Sequence, residues 1–176
     1  MMFLVPLPEN RLDRRGRAVG WQRVPMDRDG KANLLNLAAQ LKDRGVTEVW
    51  ASDLDKHPAT LVAQELKATV RTEFSLRRFN WGNQHGAPLT KAEKILNEVS
   101  KKWEKNEDIP LRGGDSYTSF RKRWERMYEK LILLDCVALV TDEMSIRWLR
   151  ERNSHSLIRN GNALSRDKIY CMRVIS

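Results

Sequence analysis

Histidine and cysteine are scarce in this sequence: three of the first and two of the second among 176 residues. No CxxC pair or Cys/His cluster is present, so neither a metal site nor a bound cofactor is implied. Cys136 and Cys171 each sit in an apolar run that reads as a strand, which predicts buried free thiols and a reducing, cytoplasmic setting. Long hydrophobic runs are also missing. The apolar start, 1–5, is far too short for a signal peptide or a membrane span, so no membrane association is expected. There is no internal repeat and no low-complexity tract, which excludes solenoid and fibrous architectures.

Acidic residues are outnumbered. Lys and Arg total 32 against 23 Asp and Glu, a formal net charge of +9. Such a surplus favours polyanionic partners, nucleic acid or a phosphorylated ligand, although it also serves solubility. With 41% hydrophobic and 31% charged residues, the composition is that of a folded globular chain, and 1–176 reads as one domain.

The order of elements follows from hydrophobic period and from Gly/Pro punctuation. Continuous apolar runs predict strands at 1–5, 46–51, 68–74, 137–141 and 169–174. Helical spacing predicts helices from Lys31 to a stop at Gly45, after Pro58, over 91–103, from an N-cap at Ser116 to about 134, and over 145–152. Strands that alternate with helices and are apolar on both faces predict a mostly parallel sheet in a three-layer α/β/α sandwich.

The loops between these elements carry a recognisable series. Leu4-Val5-Pro6-Leu7-Pro8-Glu9 ends the first strand, and Gly20-Trp21 through Gly30 follows. Ser52-Asp53-Leu54-Asp55-Lys56-His57-Pro58-Ala59-Thr60 stands at the second strand-to-helix turn. Leu76-Arg77-Arg78 leads to Gly82 and Gly86, Gly113-Gly114-Asp115-Ser116 precedes Arg123, Val140-Thr141-Asp142-Glu143 ends the fourth strand, and Asn160-Gly161 comes late. In order and spacing this series resembles the histidine phosphatase (phosphoglycerate mutase-like) superfamily. The family's counterparts are Arg-His-Gly-Glu, Gly-Trp-x-Asp-x-Pro, Ser-x-Leu-x-Arg-Ala-x-x-Thr, Leu-x-Glu, Gly-Gly-Glu-Ser and Val-x-His-Gly.

The resemblance implies where catalytic groups belong, and the chain departs from it there. Leu7 stands in place of the phosphorylated histidine and has no lone pair to attack with. Pro6 replaces one phosphate-binding arginine, and Lys56 replaces another without the two-pronged geometry. Arg78 replaces the proton-donating glutamate, and Asp142 replaces the second histidine. The resemblance therefore implies a degenerate member, a pseudoenzyme without phosphohistidine chemistry. His57, His85 and His155 read as solitary histidines, and His57 and His85 border the family's pocket.

Two readings of the remaining charges stand side by side. Glu9, Lys56, Arg78, Asp115, Asp142, Glu143 and Arg147 could be mutually paired, leaving a binding protein. Alternatively Asp142 with Glu9 or Asp115 could form an acid/base pair of the kind that hydrolases and DNA or nucleoside glycosylases use. For binding, nucleic acid stands ahead of a phosphorylated small molecule. Arg11, Arg14, Arg15, Arg17, Arg23 and Arg28 crowd the first loop, and Trp21, Trp81, Phe79 and His85 could offer rings to bases. A protein partner is the third class.

Overall fold

The computed structural model describes residues 1–103, 105, 107–153, 166 and 168–172. His155 and Asn160-Gly161 lie outside these residues. Among the described residues, five strands form one sheet: β1 (Met2–Pro6), β2 (Glu48–Ala51), β3 (Thr69–Thr72), β4 (Val137–Thr141) and β5 (Tyr170–Met172). Their order is β3-β2-β4-β1-β5. The β1–β4, β2–β4 and β2–β3 pairs are parallel, and β5 runs antiparallel to β1.

β1 and β4 lie inside the sheet and are buried along their whole length, which is why they read as unbroken apolar runs. Successive residues point to opposite faces. Met2, Leu4, Val137 and Leu139 feed one core, with Phe120 and Trp124 of α4 (Tyr117–Leu131), Ala92 of α3 (Leu89–Trp103) and Ile146 of α5 (Glu143–Asn153). Phe3, Val5, Ala138 and Val140 feed the other, with Leu34 of α1 (Arg28–Ala39) and Val62 of α2 (Lys56–Leu66). The protein is thus an α/β/α sandwich around a mostly parallel sheet, as its sequence predicts.

Helix starts are set by side-chain caps. The Asp27 carboxylate accepts from the Gly30 N–H at 2.8 Å, and Ser116 with Ser119 closes a reciprocal capping box on α4. α4 ends at Leu131, short of the expected 134. The third strand is also shorter than expected, because Phe74 enters a single 3₁₀ turn and is half exposed. Gly82 is required where it stands. Its φ is 52°, and a Cβ would lie 2.3 Å from the Arg112 carbonyl oxygen, so only glycine lets the 78–82 segment dock on Gly113-Gly114.

The cysteine expectation needs correction. Cys171 is exposed and Cys136 only half-buried. Cys171 lies on an edge strand, β5, rather than inside the sheet. Cys136 precedes β4 with φ 45°, and its thiol donates to the Arg44 carbonyl at 2.7 Å. Among the described residues, no helix is long and apolar enough to cross a membrane, and no three His, Cys, Asp or Glu side chains are placed to share a metal ion.

Candidate functional site

Parallel α/β sheets gather ligand-binding groups beyond the carboxyl ends of their strands. Here the residues after β1, β2 and β4 enclose a cavity of about 520 Å³, within the usual range for a small-molecule site. β1 delivers Leu7, Pro8 and Glu9. The turn after β2 delivers Leu54, Asp55 and His57, and the turn after β4 delivers Asp142, Glu143 and Met144. The loop from Arg17 to Met26 forms a wall, together with Arg78, Phe79 and Trp81.

Asp142 has a structural task that explains its type. It stands immediately before α5, where its carboxylate accepts from the Met144 N–H at 3.1 Å and from the Ser145 hydroxyl. Its carbonyl accepts from the Ile146 N–H. This is the N-cap position, where orphan donors and the helix dipole both favour a carboxylate.

Beside it lies a buried ion pair. Arg78 Nη2 donates to Asp55 Oδ1, with side-chain exposures of 12% and 9%. Ser52 adds its hydroxyl to the other Asp55 oxygen. Burial pushes the Asp55 carboxyl above its ordinary range, Arg78 and Ser52 pull the other way, and the Asp142 carboxylate adds to the rise. Arg78 Nε is buried with no hydrogen-bond partner among the described residues.

The sequence-derived candidates divide into two groups. Glu9, Arg17, His57, Arg78, Trp81, Asp142 and Arg147 line the cavity. Lys56 is outside it and exposed, whereas its neighbour Asp55 turns inward. Asp115 is buried elsewhere. It accepts from Arg123 Nη2 at 2.6 Å, the Asn80 N–H at 3.0 Å and Ser119 Oγ at 3.2 Å, and so ties the loop around residue 80 to α4. Arg15 is exposed and outside the cavity. Arg14 reaches Asp27, Asp29 and Glu9 at 3.2, 3.5 and 3.7 Å, so its charge is shared among three carboxylates.

The aromatic rings do not form an outer stacking face. Phe79 and Trp81 are 3% and 8% exposed and meet edge to face. Trp21 packs edge-on against Phe74, lies under the guanidiniums of Arg77 and Arg123, and donates its indole N–H to the Arg78 carbonyl at 2.7 Å. It braces the cavity wall from outside.

Sequence reasoning missed Asp55, Asp13, Glu93 and Arg166. The Ser52-x-x-Asp55 spacing is a capping signature that could have revealed Asp55. Arg166 carries no local signal: it reaches Asp13 at 2.8 Å across the whole length of the chain.

His85 also braces the wall. Its Nδ1 accepts from the Gly20 N–H at 2.9 Å, which requires a neutral ring. Burial lowers its pKa, and the nearby Arg78 charge lowers it further. The folded state thus takes up a proton less readily than the unfolded chain, whose histidine titrates near ~6.5. Stability from His85 is fully present above that value and is lost as pH falls below it toward the folded pKa. His85→Gln, which keeps a side-chain acceptor, should flatten the drop in unfolding free energy between mildly alkaline and mildly acidic buffer. Urea unfolding of both proteins checks this, and equal pH slopes would refute it.

The model for the histidine phosphatase superfamily (branch 1) matches residues 8–163. The chain belongs to the histidine phosphatase superfamily. Among solved structures, TTHB049 from Thermus thermophilus aligns with a TM-score of 0.64 and 24% identity, over 84% of this chain and 81% of that one. The alpha-ribazole phosphatase from Shigella flexneri aligns with a TM-score of 0.70 and 19% identity, over 86% and 78%. At these identities the likeness speaks for the fold alone. No curated protein sequence matches the chain significantly. In this member of the superfamily, Leu7 and Asp142, which the resemblance sets at the two histidine positions, both face the cavity.

Proposed function

We propose that this histidine phosphatase relative binds a polyanion, nucleic acid ahead of a phosphorylated small molecule, and performs no phosphohistidine chemistry. The observation that carries the loss of phosphohistidine chemistry is Asp142, a carboxylate held at the cavity by the start of α5 and set beside the buried Asp55. A phosphoryl group there would meet negative charge. Two unit charges about 4 Å apart at a partly solvated site repel by about 4 kcal/mol. Leu7 brings no nucleophile, Pro6 is buried in β1, and Lys56 lies outside the cavity. The exposed Arg17, Arg23 and Arg147 line the cavity instead, and Arg11, Arg15 and Arg28 stand exposed on or beside the same loop. These arginines, with Glu143 3.6 Å from Arg147 and the exposed Glu9 and Glu93 beside them, are the cations that would receive anionic groups at the mouth.

The test begins with turnover. Against p-nitrophenyl phosphate, phosphoglycerates and alpha-ribazole phosphate, the last suggested by the name of the Shigella relative, no hydrolysis and no acid-labile phosphoenzyme are expected. Activity that survives substitution of both His57 and His85 would overturn this half of the reading. Binding to DNA or RNA at low salt tests the other half, and its absence would favour a protein partner.

A second reading is kept alive by one feature. Asp55 and Asp142 are neighbouring carboxyls, one buried against Arg78 and the other half-buried at the start of α5, and a carboxyl pair is what an acid/base hydrolase uses. It makes a glycosylase or other hydrolase of the site. An unbiased cleavage screen with wild type and Asp142→Asn decides it: an activity lost in a stable variant would establish the enzyme.

A further inference from the structure

The arginines around the cavity sort by depth, and the exposed Glu9 and Glu93 stand among the outer ones. Arg17, Arg23 and Arg147 are exposed, whereas Arg78 and Asp55 are buried against each other and Asp142 is half-buried beside them. On the polyanion reading, the outer arginines hold the phosphates and the inner carboxylates repel them. The group that fills the interior must then carry no negative charge.

The inner groups also say what it must offer. The Arg78 guanidinium has five N–H donors, and among the described residues it spends one, on Asp55. The Asp142 carboxylate has about four acceptor positions and receives two donors, from Met144 and Ser145. A donor and an acceptor thus stand unspent on one lining. Met26, Phe79, Trp81 and Met144 give the lining apolar and polarisable surface among its charged groups. A flat, neutral heterocycle with a C=O and an N–H on one edge satisfies all three features, and arginine and aspartate are side chains that read such edges.

We infer that the cavity is a nucleobase pocket, with Arg78 and Asp142 reading the base edge while the outer arginines hold the phosphates. The inference rests on the polyanion reading above and deepens it. The base could belong to a free nucleotide or to a nucleotide turned out of a strand.

The experiment compares a short single-stranded oligonucleotide with an abasic strand of equal length and charge, and a nucleoside monophosphate with ribose 5-phosphate. Each is titrated by calorimetry against wild type and Asp142→Asn. Asparagine caps helices as well as aspartate, so this variant stays folded while its edge chemistry changes. Base-bearing ligands should bind wild type about tenfold or more tighter than their base-free partners, and the ratio should fall toward unity in the variant. Equal affinity of oligonucleotide and abasic strand, with equal affinity of nucleotide and sugar phosphate, would overturn the pocket and leave the polyanion reading intact. Binding of the nucleotide alone would support the pocket and overturn the strand as its source. A preference for base-bearing ligands that Asp142→Asn leaves unchanged would overturn the assignment of the edge reader. If none of the four binds, both readings fall.

Discussion

Replacing Arg78 with methionine should lower the free energy of unfolding by about 3–5 kcal/mol. The methionine fills much of the same space, so the loss is electrostatic. Asp55 is 9% exposed and depends on Arg78 as its charged partner, with Ser52 adding a hydroxyl. Without the guanidinium, the carboxylate is stranded next to Asp142 and its pKa rises further. The sign of the pH dependence follows. A carboxyl with a raised folded-state pKa favours the fold below the unfolded value near ~3.9, and that stability is lost as pH rises through the folded value. Arg78→Met should therefore look least damaged in acid and most damaged at neutral pH. The double variant Asp55→Asn with Arg78→Met should recover most of the loss. It removes both charges together and keeps an acceptor for Ser52. Urea unfolding at two pH values measures all three proteins. A single-variant cost below about 1 kcal/mol would mean that the pair behaves as a solvated surface pair.

That buried pair marks the boundary of what could be read from the sequence. The strands were legible because each inner one is apolar on both faces, as 2–6 and 137–141 are. The meeting of Glu9, His57 and Asp142 was legible too, since loops after parallel strands of one sheet converge at one end. Direction within a turn was not. Lys56 and Asp55 are adjacent, and their charges alone do not say which points inward. The Ser52–Asp55 cap decides it, by holding the aspartate against the turn and leaving the lysine outside. Asp115 was drawn toward the site by its motif, but Arg123 claims it from the next helix. The tryptophans carry the same lesson. An indole near arginines reads as a stacking platform, and whether it faces solvent depends on packing that sequence spacing does not encode. The antiparallel course of β5 and the reach of Arg166 to Asp13 depend on long-range closure and leave no local signature.

Affinity for a single-stranded polyanion should fall linearly on a log–log plot against salt, by about 0.7 per phosphate neutralised. The structure ranks the arginines that set this slope. Arg14 already faces Glu9, Asp27 and Asp29, so little of its charge remains for a ligand. Arg15 and Arg23 are exposed and stand in none of the salt bridges seen among the described residues, although Arg23 lies close enough to Asp53 to help hold that carboxyl lower. Arg17 is exposed as well and spends one donor on the Gly86 carbonyl at 2.7 Å, a neutral acceptor that leaves its charge in place. Changing Arg15, Arg17 and Arg23 together to alanine should flatten the slope by about two units and weaken binding alike across sequences. Arg14→Ala should flatten it far less. It would also free three carboxylates beside the mouth, so its effect on affinity comes through added repulsion rather than a lost contact. Fluorescence anisotropy over a salt series, with thermal unfolding to verify that each variant is folded, separates the two. A salt-independent affinity would remove the electrostatic basis of the polyanion reading. A larger slope change for Arg14→Ala than for the triple variant would show that the ligand draws Arg14 away from its carboxylates, and would move the binding face from the cavity mouth to the start of α1.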